Sequence, residues 1–258
     1  MRKLIHTTAA LSIFLAASMA ANAAEVPPSP PVYTPPPVYV PPPFSWTGFY
    51  VGGNFGGAWR QGSINDSLFG LSFGNTSNNG AFIGGGQLGF NYQFGSFVIG
   101  VEADFDWGDN TTSANTSNGV FVTGIGTIQA SFNNGWVTTL AGRFGVTNGP
   151  WLFYGKAGGG WVGNNNFTVT NVTTGASITN FNNNNTSSGW LVGAGIEWAF
   201  TSNWSVKIEY DYLGLNSQTF TVPTGVFLAG DTFTTSNPNV QMVKVGLNYL
   251  FNYGVGRY

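Results

Sequence analysis

Charged side chains at alternate positions are the residues of this sequence whose type and spacing could do chemistry. Two such rows are Glu102, Asp104 and Asp106, and Lys207, Glu209 and Asp211. Residues two apart in a strand share one face, so each row would bring its side chains together. Paired carboxylates could serve as a general acid and a general base. Cations share this face on other predicted strands, which favours ion pairs; the remaining members are Arg143, Lys156, Glu197 and Lys244.

Two short motifs resemble ligand-binding loops but lack the surroundings that such loops need. GGGQLG at 84–89 matches G-x-G-x-x-G, which binds dinucleotides where a strand gives way to a helix. Here it lies inside an alternating strand, so we interpret it as small residues in a tightly curved sheet. DFDWGDN at 104–110 resembles part of a calcium loop, but its Gly is misplaced and the downstream Glu is missing. Ion pairing is again favoured over a weak cation site, and we predict no cofactor.

The N-terminal residues predict an exported protein with little of the usual catalytic chemistry. Residues 1–23 have a charged start and an apolar core, and they end in Ala21-Asn22-Ala23, the small-x-small pattern of a signal peptide. Cleavage between Ala23 and Ala24 would remove His6, the only histidine, and the chain has no cysteine. Mechanisms that rely on a His base are therefore excluded for the mature chain, and we predict that the protein is not an enzyme.

Residues 24–43 contain a proline-rich stretch, PPSPPVYTPPPVYVPPP. Its composition predicts an extended polyproline II segment that joins no sheet. It could be a ligand for a periplasmic partner or a semi-rigid spacer, and we favour the spacer because 27–43 carries no charge. The predicted organisation is a signal peptide (1–23), a periplasmic tether (24–43) and an all-β outer-membrane domain (44–258).

From Trp46 onward the hydrophobic pattern has a period of two, which predicts strands. Eight segments are long enough for membrane strands: 46–59, 80–94, 97–108, 136–147, 151–161, 188–200, 204–215 and 239–251. Tight turns at 95–96, 148–150 and 201–203 alternate with long loops at 60–79, 109–135, 162–187 and 216–238. This predicts an antiparallel up-and-down transmembrane β-barrel of eight strands, with short periplasmic turns and long extracellular loops. Strand-like pieces at 119–126 and 166–175 could be ladders beyond the membrane or further membrane strands, and their Thr/Asn content favours ladders.

The composition agrees with a barrel and excludes other classes. Charged residues are only 7% of the chain, against roughly 25% in a soluble domain. After the signal peptide no apolar run reaches the ~18 residues of a transmembrane helix. The net charge is −2 and no basic patch occurs, so nucleic acid is not an expected partner.

The phase of the strands predicts which face meets lipid. If the charges point inward, eight tryptophans point outward near strand ends, as in the aromatic girdles of such barrels: Trp59, Trp107, Trp136, Trp151, Trp161, Trp190, Trp198 and Trp204. Trp46, which opens the first segment, does not fit. Side chains fill an eight-stranded barrel, and buried charges are costly unless they pair. We therefore predict a largely closed, ion-paired interior whose six acids and four cations would make any leak cation-selective.

Several segments resemble the small porin-like outer-membrane immunogenic proteins of alpha-proteobacteria, within the OmpA-like β-barrel group. They are FSWTGFYVGGNFGGAW (44–59), FVIGVEADFDW (97–107), GRFGV (142–146), WLFYGKAGGGW (151–161), GWLVGAGIEWAF (189–200) and WSVKIEYDYLGL (204–215). The resemblance implies an eight-stranded barrel, abundant in the outer membrane and exposed to host or soil. Some members are described as haem-binding or as porins, and no site residue carries over. Such proteins usually end at an aromatic residue that the assembly machinery reads, whereas here NYGVGRY follows Phe251.

The leading interpretation is a non-enzymatic, structural and surface-exposed protein of the outer membrane. One alternative is a small, weakly cation-selective pore, and another is a binding module whose loops capture haem or a host or environmental partner. Haem iron would have to be bound by Tyr or Met, since the mature chain has neither His nor Cys. The expected partners are outer-membrane lipid, lipopolysaccharide and the barrel-assembly machinery, and the sequence specifies no oligomeric state.

Overall fold

The computed structural model describes residues 44–67, 70, 72–77, 80–108, 115–116, 119–179, 186–222 and 230–252. Their regular structure consists of antiparallel strands. None of the described residues belongs to a helix long and apolar enough to cross a bilayer. The predicted signal peptide with its Ala23–Ala24 cleavage site, the tether and the extension at 253–258 lie outside the described residues.

Eight long strands carry the fold. They are Gly48–Asp66 (β1), Ala81–Phe94 (β2), Phe97–Gly108 (β3), Gly126–Asn148 (β4), Trp151–Asn171 (β5), Thr186–Ala199 (β6), Trp204–Leu215 (β7) and Thr232–Asn252 (β8). Short strands lie between them at Ser72–Ser77, Asn115–Thr116, Val120–Val122, Ser177–Thr179 and Thr219–Thr221. Each predicted period-two segment overlaps one of the eight long strands in order.

The eight long strands close into a barrel. Each pairs antiparallel with the next along the chain, and β1 also pairs with β8, from Gly48↔Asn252 to Asp66↔Phe233. Every long strand therefore has a hydrogen-bonded neighbour on both sides, which is what a strand in hydrocarbon requires. The predicted eight-stranded up-and-down barrel is confirmed.

Tight turns join the strands at one end of the barrel. Gly95 and Gly149 lie in the turns after β2 and β4 and have a φ of 60°, which glycine adopts without steric cost. The turn after β6 is tied to β8, because Asn203 Nδ2 donates to the carbonyl oxygen of Leu250 at 3.0 Å. The start of β1 and the end of β8 are also at this end, which the sequence predicts to be periplasmic.

At the other end several strands continue beyond the segments predicted for the membrane. β4 begins at Gly126 and β5 ends at Asn171, and the two remain paired from Ile128↔Asn171 to Asn133↔Asn166. The pieces around 119–126 and 166–175 are thus mostly ladders that extend barrel strands, and the predicted loops were drawn too wide. β-branched Thr and Val suit a strand in water as well as in lipid, so the ladder does not stop at the membrane surface.

The interior of the barrel is filled by three layers of side chains. Along β8 the order from the periplasmic end is Leu250, Lys244 and Met242, and all three are buried. The lower apolar layer contains Trp46, Tyr50, Val98, Leu152, Tyr154, Ala199 and Leu250. The upper apolar layer contains Ala58, Ile83, Val137, Ala141, Val162, Leu191, Leu213, Leu215, Val240 and Met242. A polar layer, which holds the charged side chains, lies between the two.

Candidate functional site

The polar layer contains all ten charged residues that the sequence places on the inner face. They are Glu102, Asp104 and Asp106 on β3, Arg143 on β4, Lys156 on β5, Glu197 on β6, Lys207, Glu209 and Asp211 on β7, and Lys244 on β8. None is more than 4% exposed. The alternation is sharp along β7, where Lys207 is 1% exposed and the next residue, Ile208, is 53% exposed. The charged side chains of this strand therefore point into the barrel, and the Ile208 side chain points away from it.

Three lysines and the facing carboxylates form one connected set of ion pairs. Lys156 Nζ lies 2.7 Å from Glu209 Oε1, and Lys207 Nζ lies 3.0 Å from Glu102 Oε2. Lys244 Nζ lies 3.2 Å from Asp104 Oδ1. Each ammonium group has further carboxylates within 4.0 Å, so the lysines cross-link strands that are far apart in the sequence.

Arg143 holds the lower edge of the polar layer. Its Nη2 donates to Glu197 Oε2 at 2.8 Å, and its Nη1 donates to the Tyr50 hydroxyl at 2.5 Å. Its Cζ lies 3.9 Å from the centroid of the Tyr154 ring. The hydroxyls of Tyr50 and Tyr154 then donate to Glu102 and Glu209, at 2.8 and 2.7 Å. Sequence reasoning missed both tyrosines, although each has the inward phase of its strand.

A row of amide side chains completes the layer where β1 and β2 contribute no charge. Asn54 Nδ2 donates to Gln87 Oε1 at 2.7 Å, Gln87 Nε2 donates to Asn248 Oδ1 at 2.6 Å, and Asn248 Nδ2 donates to Glu197 Oε1 at 2.7 Å. Ser205 Oγ donates to the same glutamate oxygen at 2.5 Å. These residues were also missed, and their inward phase between apolar neighbours is the signal that could have found them.

The carboxylates of the polar layer are poorly placed for metal binding or catalysis. Oxygens of Glu102, Asp104 and Glu209 lie within 4.8 Å of one another, as metal ligands would. Lysine ammonium groups already contact these oxygens, at 2.7 Å for Glu209 and 3.2 Å for Asp104. Acid–base catalysis needs a substrate within hydrogen-bonding reach, and these groups are buried between two apolar layers. The geometry is that of a packed ionic core.

Inward glycines make the room that the long charged side chains occupy. A Cβ at Gly193 on β6 would overlap Asp211 Oδ1 and lie 3.2 Å from Lys156 Cε. A Cβ at Gly246 on β8 would lie 3.1 Å from Lys207 Cε. The GGGQLG motif on β2 belongs to the same pattern, since a Cβ at Gly85 would overlap the backbone of β3. Its glycines fit a curved sheet packed against bulky neighbours.

The tryptophans predicted for the girdles lie on the outer face. Seven are 40–60% exposed, and Trp136 is half-buried beside Phe105, with ring centroids 6.1 Å apart. Trp151, Trp198 and Trp204 are at the periplasmic end, and the other five are at the opposite end. On β5, Trp151 and Trp161 are ten residues apart, which is roughly 33 Å along the strand and about 25 Å along the membrane normal at a tilt of ~40°. That height matches the apolar band of an outer-membrane barrel.

Comparisons with known proteins give matches over most of the chain. The model of the family described as outer membrane protein beta-barrel domain matches residues 7–251. A 31 kDa outer-membrane immunogenic protein of Brucella melitensis is 30% identical over 251 residues, which cover 93% of this chain and 96% of that protein. A 22 kDa outer membrane protein of Rhizobium leguminosarum is 32% identical over 189 residues, 72% of each chain. Among solved structures, the outer membrane protein OprG of Pseudomonas aeruginosa matches 79% of this chain and 97% of its own at 13% identity, with a TM-score of 0.42.

Proposed function

We propose that this chain, which belongs to the outer membrane protein beta-barrel family, is a structural, surface-exposed barrel whose interior is closed by ion pairs. The chain is an outer-membrane protein and its surroundings are membrane lipid. Its function then lies in two surfaces, the apolar band that holds it in the bilayer and the extracellular ladders that project from it. The protein performs no reaction in this proposal.

The observation that carries the proposal is the order of layers inside the barrel. Ten charged side chains, each at most 4% exposed, lie between two layers of packed apolar side chains. A conducting pore of the porin type needs a continuous aqueous path lined by polar groups. Here an ion would have to pass an apolar layer at each end, and would displace the ammonium groups from the carboxylates between them. This packing supports the proposal of a closed interior.

The second candidate function is a small leak of cations through the barrel. The net charge of the interior supports selectivity for cations. The polar layer contains six carboxylates, on Glu102, Asp104, Asp106, Glu197, Glu209 and Asp211, against four cations, on Arg143, Lys156, Lys207 and Lys244. A transient opening would therefore present a net negative interior to the passing ion. Such a leak would favour cations over anions.

Electrical recording from the purified, refolded protein in planar lipid bilayers tests the proposal. We expect no steady conductance above that of protein-free bilayers, with rare cation-selective openings at most. A stable open level with reproducible conductance would overturn the closed interior and support the pore. Lys244→Met removes one cation of the layer, so any leak should become larger and more cation-selective in that variant.

We also propose the organisation predicted for the ends of the chain. A signal peptide at 1–23 is removed between Ala23 and Ala24, and residues 24–43 form a spacer in the periplasm ahead of the barrel at 44–258. Two observations support this order: the described chain begins at the end of the barrel that carries the tight turns, and the proline-rich stretch directly precedes it. Mass spectrometry of the mature N-terminus tests the cleavage site.

A further inference from the structure

Residues Phe44–Thr47 enter the periplasmic end of the barrel without belonging to any strand. Trp46 in this segment is fully buried, unlike the tryptophans that meet lipid, and its side chain is part of the lower apolar layer. Phe44 packs against it edge to face, with ring centroids 5.1 Å apart. β1 starts at Gly48, so Trp46 lies before the strand. The alternation of inward and outward side chains therefore does not apply to Trp46, which explains why it does not fit the strand pattern.

Hydrogen bonds that involve a side chain hold this segment in place. Trp46 N donates to Gln93 Oε1 at 2.8 Å, and Gln93 N donates to Thr47 Oγ1 at 2.9 Å. The indole Nε1 of Trp46 donates to Thr147 Oγ1 at 3.0 Å. These contacts reach β2 and β4, and none of them is a rung of the barrel ladder. The segment could therefore leave the barrel without breaking any strand pairing.

The polar layer adjoins the apolar layer that contains the Trp46 indole. Tyr50 and Tyr154 belong to the same apolar layer as Trp46, and their hydroxyls donate to Glu102 and Glu209 of the polar layer. Removal of the indole would open this layer to periplasmic water and let water reach the lower side of the ion pairs. The upper apolar layer would stay closed, because its members lie on the far side of the charges.

We propose that Phe44–Thr47 is a retractable plug and that the Trp46 indole controls the access of water and small solutes to the periplasmic half of the interior. The proposal rests on the closed interior proposed above and adds that its two ends differ. The upper end is closed by side chains of paired strands, whereas the lower end is closed by such side chains together with Trp46, which lies outside the sheet. In the sequence, the proline-rich stretch ends at Pro43, directly before this segment.

Thiol labelling tests the plug, because the chain has no cysteine and a single introduced one acts as the reporter. Ala199→Cys places a thiol in the lower layer, and Ala58→Cys places one in the upper layer. The protein is refolded in lipid vesicles with a charged, water-soluble thiol reagent on both sides. We expect the thiol of Ala199→Cys to be labelled slowly but measurably. Adding Trp46→Ala should raise its labelling rate at least tenfold. The matched variant Trp204→Ala, which removes a lipid-facing tryptophan at the same end, should leave the rate unchanged.

The outcomes separate the plug from the closed interior. Fast labelling of both reporters in the otherwise unchanged barrel would refute the closed interior. Two outcomes would refute the plug but not the closed interior. In one, the thiol of Ala199→Cys reacts as slowly as that of Ala58→Cys. In the other, Trp46→Ala does not raise the labelling rate of Ala199→Cys. If Trp46→Ala prevents folding, as judged by loss of the heat-dependent shift in gel mobility, Trp46→Phe replaces it. Trp46→Phe keeps an aromatic ring but loses the hydrogen bond to Thr147, so Ala199→Cys should label faster in this variant than in the protein that keeps Trp46.

Discussion

Lys207 Nζ lies 3.0 Å from Glu102 Oε2, although the two residues are 105 positions apart and stand on strands on opposite sides of the barrel. β3 and β7 are four strands apart in a closed sheet of eight, so this pair spans the interior. Glu209, the neighbour of Lys207 on its own strand, lies farther away at 3.4 Å and is also held by Lys156 at 2.7 Å. The closest partner of Lys207 is therefore set by barrel closure, not by sequence proximity.

The first prediction separates the two faces of β7. Lys207→Met leaves the Glu102 carboxylate with one cation fewer in a buried site, which should cost about 3–5 kcal/mol of the free energy of unfolding. Ile208→Arg puts a charge on the lipid face near the midplane, at a cost of about 2–4 kcal/mol. Adding Glu102→Gln should recover part of the loss in Lys207→Met and none of the loss in Ile208→Arg. Folding titrations in lipid vesicles measure all five variants, and equal rescue of both parents would mean that the faces are assigned the wrong way round.

The second prediction concerns the glycines that face the polar layer. Gly193→Ala would place a methyl group against Asp211 Oδ1 and Lys156 Cε, and overpacking of this kind costs about 1–3 kcal/mol. Gly155→Ala is the matched control, because its Cβ would point to lipid with the nearest atom, Gly193 O, at 3.7 Å. We expect the control to fold as well as the natural chain or slightly better. Equal loss in both variants would point to a backbone effect and not to filled space.

The third prediction concerns the guanidinium of Arg143. Lys at this position could not donate to Tyr50 and Glu197 at once while stacking on Tyr154, so Arg143→Lys should cost about 1–3 kcal/mol. Glu197→Gln removes the nearer of the two negative charges that the guanidinium faces. The double variant should therefore lose less than the sum of the two single losses in the same vesicle titration. Strict additivity would show that the two side chains are not coupled.

The fourth prediction concerns the orientation of the barrel. Protease added to intact cells should cut within 60–79, 109–135, 162–187 or 216–238, because loop tips are weakly held backbone. The exposed turn at 172–174, which follows the paired end of β5, is a favourable site among the described residues. The tight turns at 95–96, 148–150 and 201–203 should be spared until the outer membrane is opened. Cleavage confined to those turns would invert the topology.

Strand positions and barrel closure could be predicted from the sequence because one physical pattern specifies both. Alternation with a period of two separates lipid-facing from inward side chains, and the spacing of turns leaves a simple meander. The partner of each charge could not be predicted, since it depends on how the strands are staggered around the barrel. Lys207 illustrates this, because alternation alone pairs it with Glu209 on its own strand, whereas closure brings it to Glu102.

Two further features were beyond the sequence pattern for different reasons. Trp46 lies in a segment with no strand period, so its phase carries no information about burial. Tyr50, Asn54 and Gln87 carry no charge, so the search for charged rows passed over them.

The distribution of the ten charged side chains over six strands has a consequence for the order of assembly. The ion pairs that join β3 to β7 and β8 form only when the sheet closes, as for Lys244 on β8 and Asp104 on β3. Lys244 also pairs with Asp211 on the adjacent strand β7, and that contact does not need closure. A partly built sheet lying flat in the bilayer would present these ammonium and carboxylate groups to hydrocarbon without their partners from across the barrel, at several kcal/mol for each lysine. We therefore expect no stable inserted intermediate with an open seam. We expect bilayer insertion and closure between β1 and β8 to occur together, because the buried charges are fully paired only in the completed barrel.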